Sequence, residues 1–270
     1  MIRIDQCPVC GSRVSEKFSS WDHPQDHREF RKCSHCHHIF AAKFSAGVLE
    51  RIYQEAYYPS ADDPKIQQWI DANREIWKDT VSDIFCFRKE FHSILDYGAG
   101  TGGFLECFKA AVSGELKICA VESSAAAVEN IRNRFPGSEV GSDPEEFSTE
   151  FFDCIAVLQC FEHLSNPLEI CQKLHKRLNQ GGIMIITVPN RNSLRTLLKG
   201  RNDNCNPGNQ THLQFFTEST MTDMLKRAGF RKIYRLSNYP SCGSFWQKIT
   251  VFLFRKLGLS SELRFLCFAD

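Results

Sequence analysis

The 270-residue chain has almost no excess of charge: 33 lysines and arginines stand against 32 aspartates and glutamates, a net charge of +1. A protein that lives on phosphate backbones usually carries a strong positive excess. The balance therefore argues against nucleic acid as the main partner, while leaving room for a local basic patch. Long apolar runs are missing too. Runs such as ITVFLF at 249–254 fall far short of the roughly 20 residues a membrane-spanning helix needs. No basic, apolar leader precedes Cys7, so no signal peptide is expected and a cytoplasmic protein is. Hydrophobic residues make up 42% and charged residues 24%, an ordinary globular balance in a chain long enough for one large domain and a small module.

Cysteine, by contrast, is abundant. Thirteen are many for a compartment where disulfides are rare. Four of them form two C-x-x-C knuckles, Cys7 with Cys10 in CPVCGS and Cys33 with Cys36 in CSHC. Each knuckle can aim two sulfurs at one ion, and two knuckles close a tetrahedron around zinc. A module over 1–45 is too small for a real core, so a metal staple in a hairpin-type ribbon makes physical sense. No βαβ pattern surrounds either knuckle, which weakens a redox reading. Four cysteines already fill the site, so the zinc is expected to be structural, with His35, His37 and His38 facing solvent or lying just outside the ligands. The other nine cysteines sit mostly within apolar patterns and read as buried free thiols.

From 46 to 90 the apolar residues recur three and four apart (Ile66, Trp69, Ile70; Ile76, Trp77; Val81, Ile84, Phe85), which predicts helix. Pro59 and Pro64 punctuate it. This segment is either a packed linker or a helical lid over the next domain. From 91 to 237 strands and helices alternate: SILDY, KICAVE, SEVG, FDCIAVLQ and GGIMIITVP are strands, with helices over 102–112, 124–134 and 166–179. Such alternation predicts a parallel sheet covered on both faces, with ligands at the carboxyl ends of its strands. The fold class expected is α/β: a Rossmann-like, doubly wound, mostly parallel sheet with a small N-terminal zinc ribbon and helical additions.

After SILDY the chain runs GAGTGG. Gly98 and Gly100 permit backbone conformations other residues resist and leave space for a ligand. The helix that follows offers unpaired N–H groups to a pyrophosphate or to the carboxylate of an amino-acid cofactor. Glu122, closing KICAVE, can accept hydrogen bonds from ribose hydroxyls. Nicotinamide and S-adenosylmethionine (SAM) cofactors both carry such a ribose, so these residues leave the two open.

The surroundings distinguish them. ILDYGAGTG, AVESS, FDCIAVLQCFEHLSNP, LNQGGIMIITVPN and HLQFFTESTMTDMLKRAGF, in that order over about 92–235, resemble the class I SAM-dependent methyltransferases. CPVCGS…CSHCHHIF and YQEAYY resemble a subgroup with a zinc-binding module before the methyltransferase domain. The resemblance implies that Asp96, Gly98 and Gly100 line the methionine end of SAM, that Glu122 holds the ribose, and that Gln159 lies beside the sulfonium. Asp143 falls where the family often has an acid reaching the adenine amino group. Ser142 can take that slot instead, with Asp143 capping a helix before Pro144.

Methyl transfer from a sulfonium is a direct displacement, so the protein must mainly align the reactants. A hydroxyl or carbon acid must also lose a proton, for which imidazole is the natural base. His163, just after FDCIAVLQ, and His212, after the polar stretch 200–210, are the candidate catalytic residues, with bracing or packing as the alternative for each. Gln159-x-x-Glu162-His163 with His212 resembles the Glu-x-x-Glu-His metal element of ubiquinone-pathway O-methyltransferases and small-RNA 3′-end ribose methyltransferases. A neutral amide is a poorer ligand for a hard cation than a carboxylate, so no catalytic divalent metal is expected. FRKIYRLSNYP predicts a sixth strand. The aromatic segment 238–270 predicts one or two helices, suited to packing or to a homodimer contact. The expected function is SAM-dependent methylation of a small-molecule acceptor such as a sugar or other hydroxylated metabolite. The alternatives are an RNA methyltransferase gripping its substrate with the ribbon, a catalytically silent SAM-binding module, and a nicotinamide dehydrogenase.

Overall fold

The structure is a computed structural model that describes residues 1–23, 26–45, 47, 64–200, 203, 205–207, 211–236 and 260–270. Much of the aromatic C-terminal stretch and of the polar stretch 200–210 lies outside these residues, as does any dimer contact made there. Among the described residues no helix is long and apolar enough to cross a membrane.

Strands β1 (Ile2–Arg3), β2 (Ser15–His23), β3 (Asp26–Cys33) and β4 (Ile39–Phe44) form an antiparallel sheet in the order β1-β4-β3-β2. Helix α1 (Pro64–Phe87) follows. The chain then alternates through β5 (Ser93–Tyr97), α2 (Gly103–Ala111), β6 (Lys117–Val121), α3 (Ala125–Arg134), β7 (Glu139–Gly141), β8 (Phe152–Leu158), α4 (Pro167–Lys176) and β9 (Leu178–Pro189). After α5 (Leu194–Lys199) come β10 (Gln214–Phe215), α6 (Glu218–Ala228), β11 (Lys232–Arg235) and β12 (Glu262–Phe268). Seven strands make one sheet, ordered β11-β12-β9-β8-β5-β6-β7. The five from β5 to β9 run parallel, as the alternation predicts. Phe152 to Val157 of β8 are all buried, as expected for a strand with helices on both faces.

The C-terminal end departs from the expected helices. Residues 262–268 form β12, antiparallel to both β9 and β11 and inserted between them. The helical expectation arose because ELRFLCF lacks the alternation of a half-exposed strand; its five central residues are buried on both faces. Arg264 breaks the apolar run yet is itself buried. It donates to Thr80 Oγ1 at 2.9 Å and pairs with Asp83 at 3.0 Å, both on α1. Its charge is thus met by partners from the other end of the domain.

The N-terminal sheet is joined to the central domain by backbone pairing. β10 lies antiparallel to β4, with Gln214 opposite Phe40 and Phe215 opposite Ile39. Ala41 N donates to Leu213 O at 2.8 Å, and Leu213 N donates to Glu162 O at 2.7 Å. His38, expected near solvent or beside the metal ligands, is instead buried in this joint. Its ring is 3.0 Å from Gln214 Oε1 and packs on Phe216, and burial lowers its pKa to about 4. Gln214 Nε2 continues the chain of contacts to Leu164 O at 2.8 Å. Buried Cys7, Val9, Cys33 and Phe40 share one apolar cluster with Phe216, Met221 and Leu225.

Candidate active site

β5 ends in Asp96-Tyr97, and the chain turns through three glycines in the left-handed region: Gly98 at φ 80°, Gly100 at φ 53° and Gly102 at φ 76°. L-residues resist this conformation. At Gly98 space forbids them too, because a Cβ there would lie 2.7 Å from Cys160 Sγ. The Trp77 ring of α1 sits so close over Gly103 that an added Cβ would fall 2.2 Å from it. Helix α1 is thereby seated on the start of α2. The carboxylate of Glu122, just past β6, accepts from Gly100 N at 2.7 Å, Ser123 N at 2.7 Å and Ser124 N at 2.9 Å. One acid therefore fixes both neighbouring turns.

These turns open into a cavity of about 710 Å³. Asp96, Gly98, Gly100, Glu122, Gln159, Glu162, His163, His212 and Glu262 line it together. Trp69, Asn73, Ile76, Trp77 and Thr80 of α1 line it too, so the helical segment borders the cleft. Burial, with Glu122 adding its charge, pushes the Asp96 carboxyl up to about 8. Asp143 is spent differently: its side chain accepts from Glu145 N at 2.9 Å and caps the short turn Pro144–Glu146. Ser142, one residue earlier, takes the place on the cavity wall. Gln159 adopts φ 52°, unusual outside glycine. Its amide donates to Glu262 Oε1 at 2.6 Å and to Thr187 Oγ1 at 3.3 Å.

The two histidines come together. Their rings are 4.9 Å apart, edge to face. His163 Nδ1 lies 3.0 Å from Thr211 O, and since a carbonyl only accepts, Nδ1 carries the proton and Nε2 is the acceptor nitrogen. That Nε2 is 3.8 Å from Glu162 Oε1. Burial lowers His163 to about 4, so the ring is neutral at neutral pH. Glu162 is pushed up to about 8 by burial, with Glu262 adding repulsion. Glu262 escaped the sequence reading of the site; Glu162 entered it only within the Gln159-x-x-Glu162-His163 element, and the α1 segment only as one of two readings, a lid over the cleft. Glu162 carried a signal, adjacency to His163; Glu262 carried none, since its strand was read as helix.

In the N-terminal module Cys7, Cys10, Cys33 and Cys36 bring their sulfurs within 4.8 Å of one another. Cys7 Sγ is 3.6 Å from Cys36 Sγ, and Cys10 Sγ is 3.6 Å from Cys33 Sγ. With zinc–sulfur bonds of about 2.3 Å, the edge of a sulfur tetrahedron is about 3.8 Å, so the four residues fit that ion. Of the remaining cysteines that are described, most are buried free thiols and Cys86 is exposed.

A family model described as a methyltransferase domain matches residues 69–234. No curated protein matches the chain in sequence. Among solved structures, a SAM-dependent methyltransferase from Archaeoglobus fulgidus superposes with a TM-score of 0.55 at 17% identity, covering 75% of this chain and 97% of that one. A SAM-dependent methyltransferase from Thermotoga maritima gives 0.55 at 19%, covering 84% and 100%. A plantazolicin methyltransferase, solved with a triazolic desmethylPZN analogue and SAH, gives 0.55 at 16%, covering 82% and 96%. At these identities the likeness carries the fold alone.

Proposed function

The chain belongs to the methyltransferase-domain family and uses SAM, and on that premise we propose that it methylates a small hydroxylated acceptor, a sugar or similar metabolite. The observation that carries this reading is one shared cavity. The glycine turn, Glu122, Glu162, His163 and His212 all line it. Its volume, about 710 Å³, falls in the range of small-molecule pockets, about 300–1,000 Å³.

In this reading Glu122 holds the ribose hydroxyls while keeping Gly100 in place. The glycines let the methionine end approach the backbone. The cofactor's ammonium group, placed beside buried Asp96, would offset the burial that raises this carboxyl's pKa. Gln159 is held by Glu262 and Thr187 near the sulfonium. The acceptor hydroxyl docks against the Glu162–His163–His212 wall and passes its proton to His163 Nε2, the ring's acceptor nitrogen. Its oxygen then attacks the methyl carbon; the carbon–sulfur bond breaks and its electron pair stays on sulfur. Cys7, Cys10, Cys33 and Cys36 hold a structural zinc in a cytoplasmic protein, consistent with free thiols throughout the described chain.

The test is transfer of labelled methyl from SAM to metabolite pools, then kinetics on the acceptor found. His163→Ala and His212→Ala should each lower kcat by about 10²- to 10⁴-fold while the Kd for SAM stays within about twofold. Unchanged kcat in both variants would remove the wall from the chemistry.

A further inference from the structure

We propose that Glu262 is a positioning residue that turns the carbonyl oxygen of Gln159 into the cavity, where it selects a methyl acceptor carrying an O–H or N–H donor. The proposal deepens the methyl-transfer reading. It rests on that reading for what the oxygen meets, not for how the oxygen is held. Glu262 lies beyond residues 69–234, which the family model matches; strand β12 brings it to the site. β12 runs antiparallel to β9, so its first residue, Glu262, stands opposite Pro189 at the end of β9. Thr187 of β9 in turn pairs with Leu158, the last residue of β8, and Gln159 follows. Three neighbouring strands thus deliver Gln159, Thr187 and Glu262 to the edge where the parallel strands present their carboxyl ends, and all three residues line the cavity.

The hydrogen bonds fix which way the Gln159 amide faces. A side-chain amide has two donor protons and one acceptor oxygen. One proton goes to Glu262 Oε1 at 2.6 Å and the other to Thr187 Oγ1 at 3.3 Å. The Thr187 hydroxyl donates to Glu262 in its turn. Burial raises the Glu262 pKa, while the charges of Arg264 and Arg235 and these two donors pull against the rise. The ionised carboxylate only accepts, so a reversed amide would set its oxygen against another acceptor with no proton between them. Both donor protons are therefore taken, and the carbonyl oxygen meets no donor among the described residues.

The backbone is held at the same place. Gln159 sits at φ 52°, a conformation that persists in a non-glycine residue when its surroundings over-determine it. Its N–H donates to Thr187 O at 2.9 Å and lies 3.2 Å from Thr187 Oγ1. Main chain and side chain are both anchored to β9, and Glu262 closes the clamp. A fixed acceptor discriminates strongly, because an analogue without the donor leaves it desolvated and unpaired. Methyl and acceptor meet at the sulfonium, so an oxygen beside the sulfonium reaches the acceptor as well. While the hydroxyl being methylated passes its proton to His163 Nε2, a second hydroxyl or amine on the acceptor donates to Gln159. The substrate class narrows to molecules with more than one such donor, diols or amino alcohols, sugars among them.

The test uses S-adenosylhomocysteine (SAH) and sinefungin, the SAM analogue in which a carbon bearing a primary amine replaces the methylated sulfur, so that N–H donors stand at the point of transfer. Calorimetric Kd values for both are measured on wild type, Glu262→Ala, Glu262→Gln, Gln159→Leu and the Glu262→Ala/Gln159→Leu double variant, each checked for a cooperative melt. General loosening of the site would weaken both ligands alike and leave their ratio in place. The affinity for sinefungin relative to SAH should instead fall about tenfold or more in Glu262→Ala and in Gln159→Leu. The double variant should match Gln159→Leu within about twofold, since Glu262 acts through Gln159. Glu262→Gln, whose amide can meet Gln159 in either orientation, should fall between. A ratio unchanged within about twofold in Glu262→Ala and Glu262→Gln, or a further loss of about tenfold when Glu262→Ala is added to Gln159→Leu, overturns the proposal. SAH binding to wild type, measured in the same series, tests the cofactor reading separately.

Discussion

Glu122→Ala should raise the Kd for SAM by at least about 100-fold. The carboxylate is expected to take two ribose hydroxyls, and a hydrogen bond to a charged group contributes about 1.5–3 kcal/mol; two such bonds amount to about two powers of ten or more in affinity. The substitution also withdraws the acceptor from Gly100 N, Ser123 N and Ser124 N. Both turns then lose the group that fixes them, so the loss should exceed that of the ribose contacts alone. Glu122→Gln keeps one acceptor oxygen and should fall between. Calorimetric titration of SAM checks the series. A Kd within threefold of wild type for Glu122→Ala would mean that the ribose lies elsewhere.

Removal of the zinc should cost stability and activity together. Cys33→Ser, or exhaustive chelation, takes a ligand from a module with little core of its own; in small modules binding of zinc and folding are one process. If about 3–5 kcal/mol is lost, the Tm of a domain this size drops by about 6–20 °C. Methyl transfer should fall as well, although the cysteines lie outside the cavity. The reason is the joint: β4 pairs with β10, Ala41 N holds Leu213 O, and Leu213 N holds Glu162 O. Loosening β4 therefore releases both His212 and the turn that carries Glu162 and His163. Zinc content, thermal melting and kcat on the same samples test this. Full activity in zinc-free protein would show the module to be independent of the site.

What the sequence revealed was what short stretches encode. Cys7-x-x-Cys10 and Cys33-x-x-Cys36 fix a ligand set within each knuckle. The glycine turn and Glu122 could be read from the motif at the ends of two strands, and the structure pairs those strands, β5 and β6, at one cavity. Asp143 shows the limit at a single residue: an N-cap and an adenine contact need the same side chain, and the cap geometry takes it, leaving Ser142 on the wall. What stayed hidden depends on distant pairings. His38 meets Gln214 across 176 positions, and Arg264 meets Thr80 across 184. No local pattern reports such a partner, so His38 read as exposed and the strand around Arg264 as helix. Glu162 belongs to both groups: its place beside His163 was legible, but its burial was not.

The most direct measurement is a crystal structure of the protein with S-adenosylhomocysteine bound. The account predicts the ribose 2′- and 3′-oxygens within hydrogen-bonding distance of the Glu122 carboxylate, the amino-acid end over Gly98 and Gly100, and the sulfur pointing toward Gln159 and the His163–His212 wall. A nucleoside bound outside this crevice, or a ribose held by any residue other than Glu122, would contradict it.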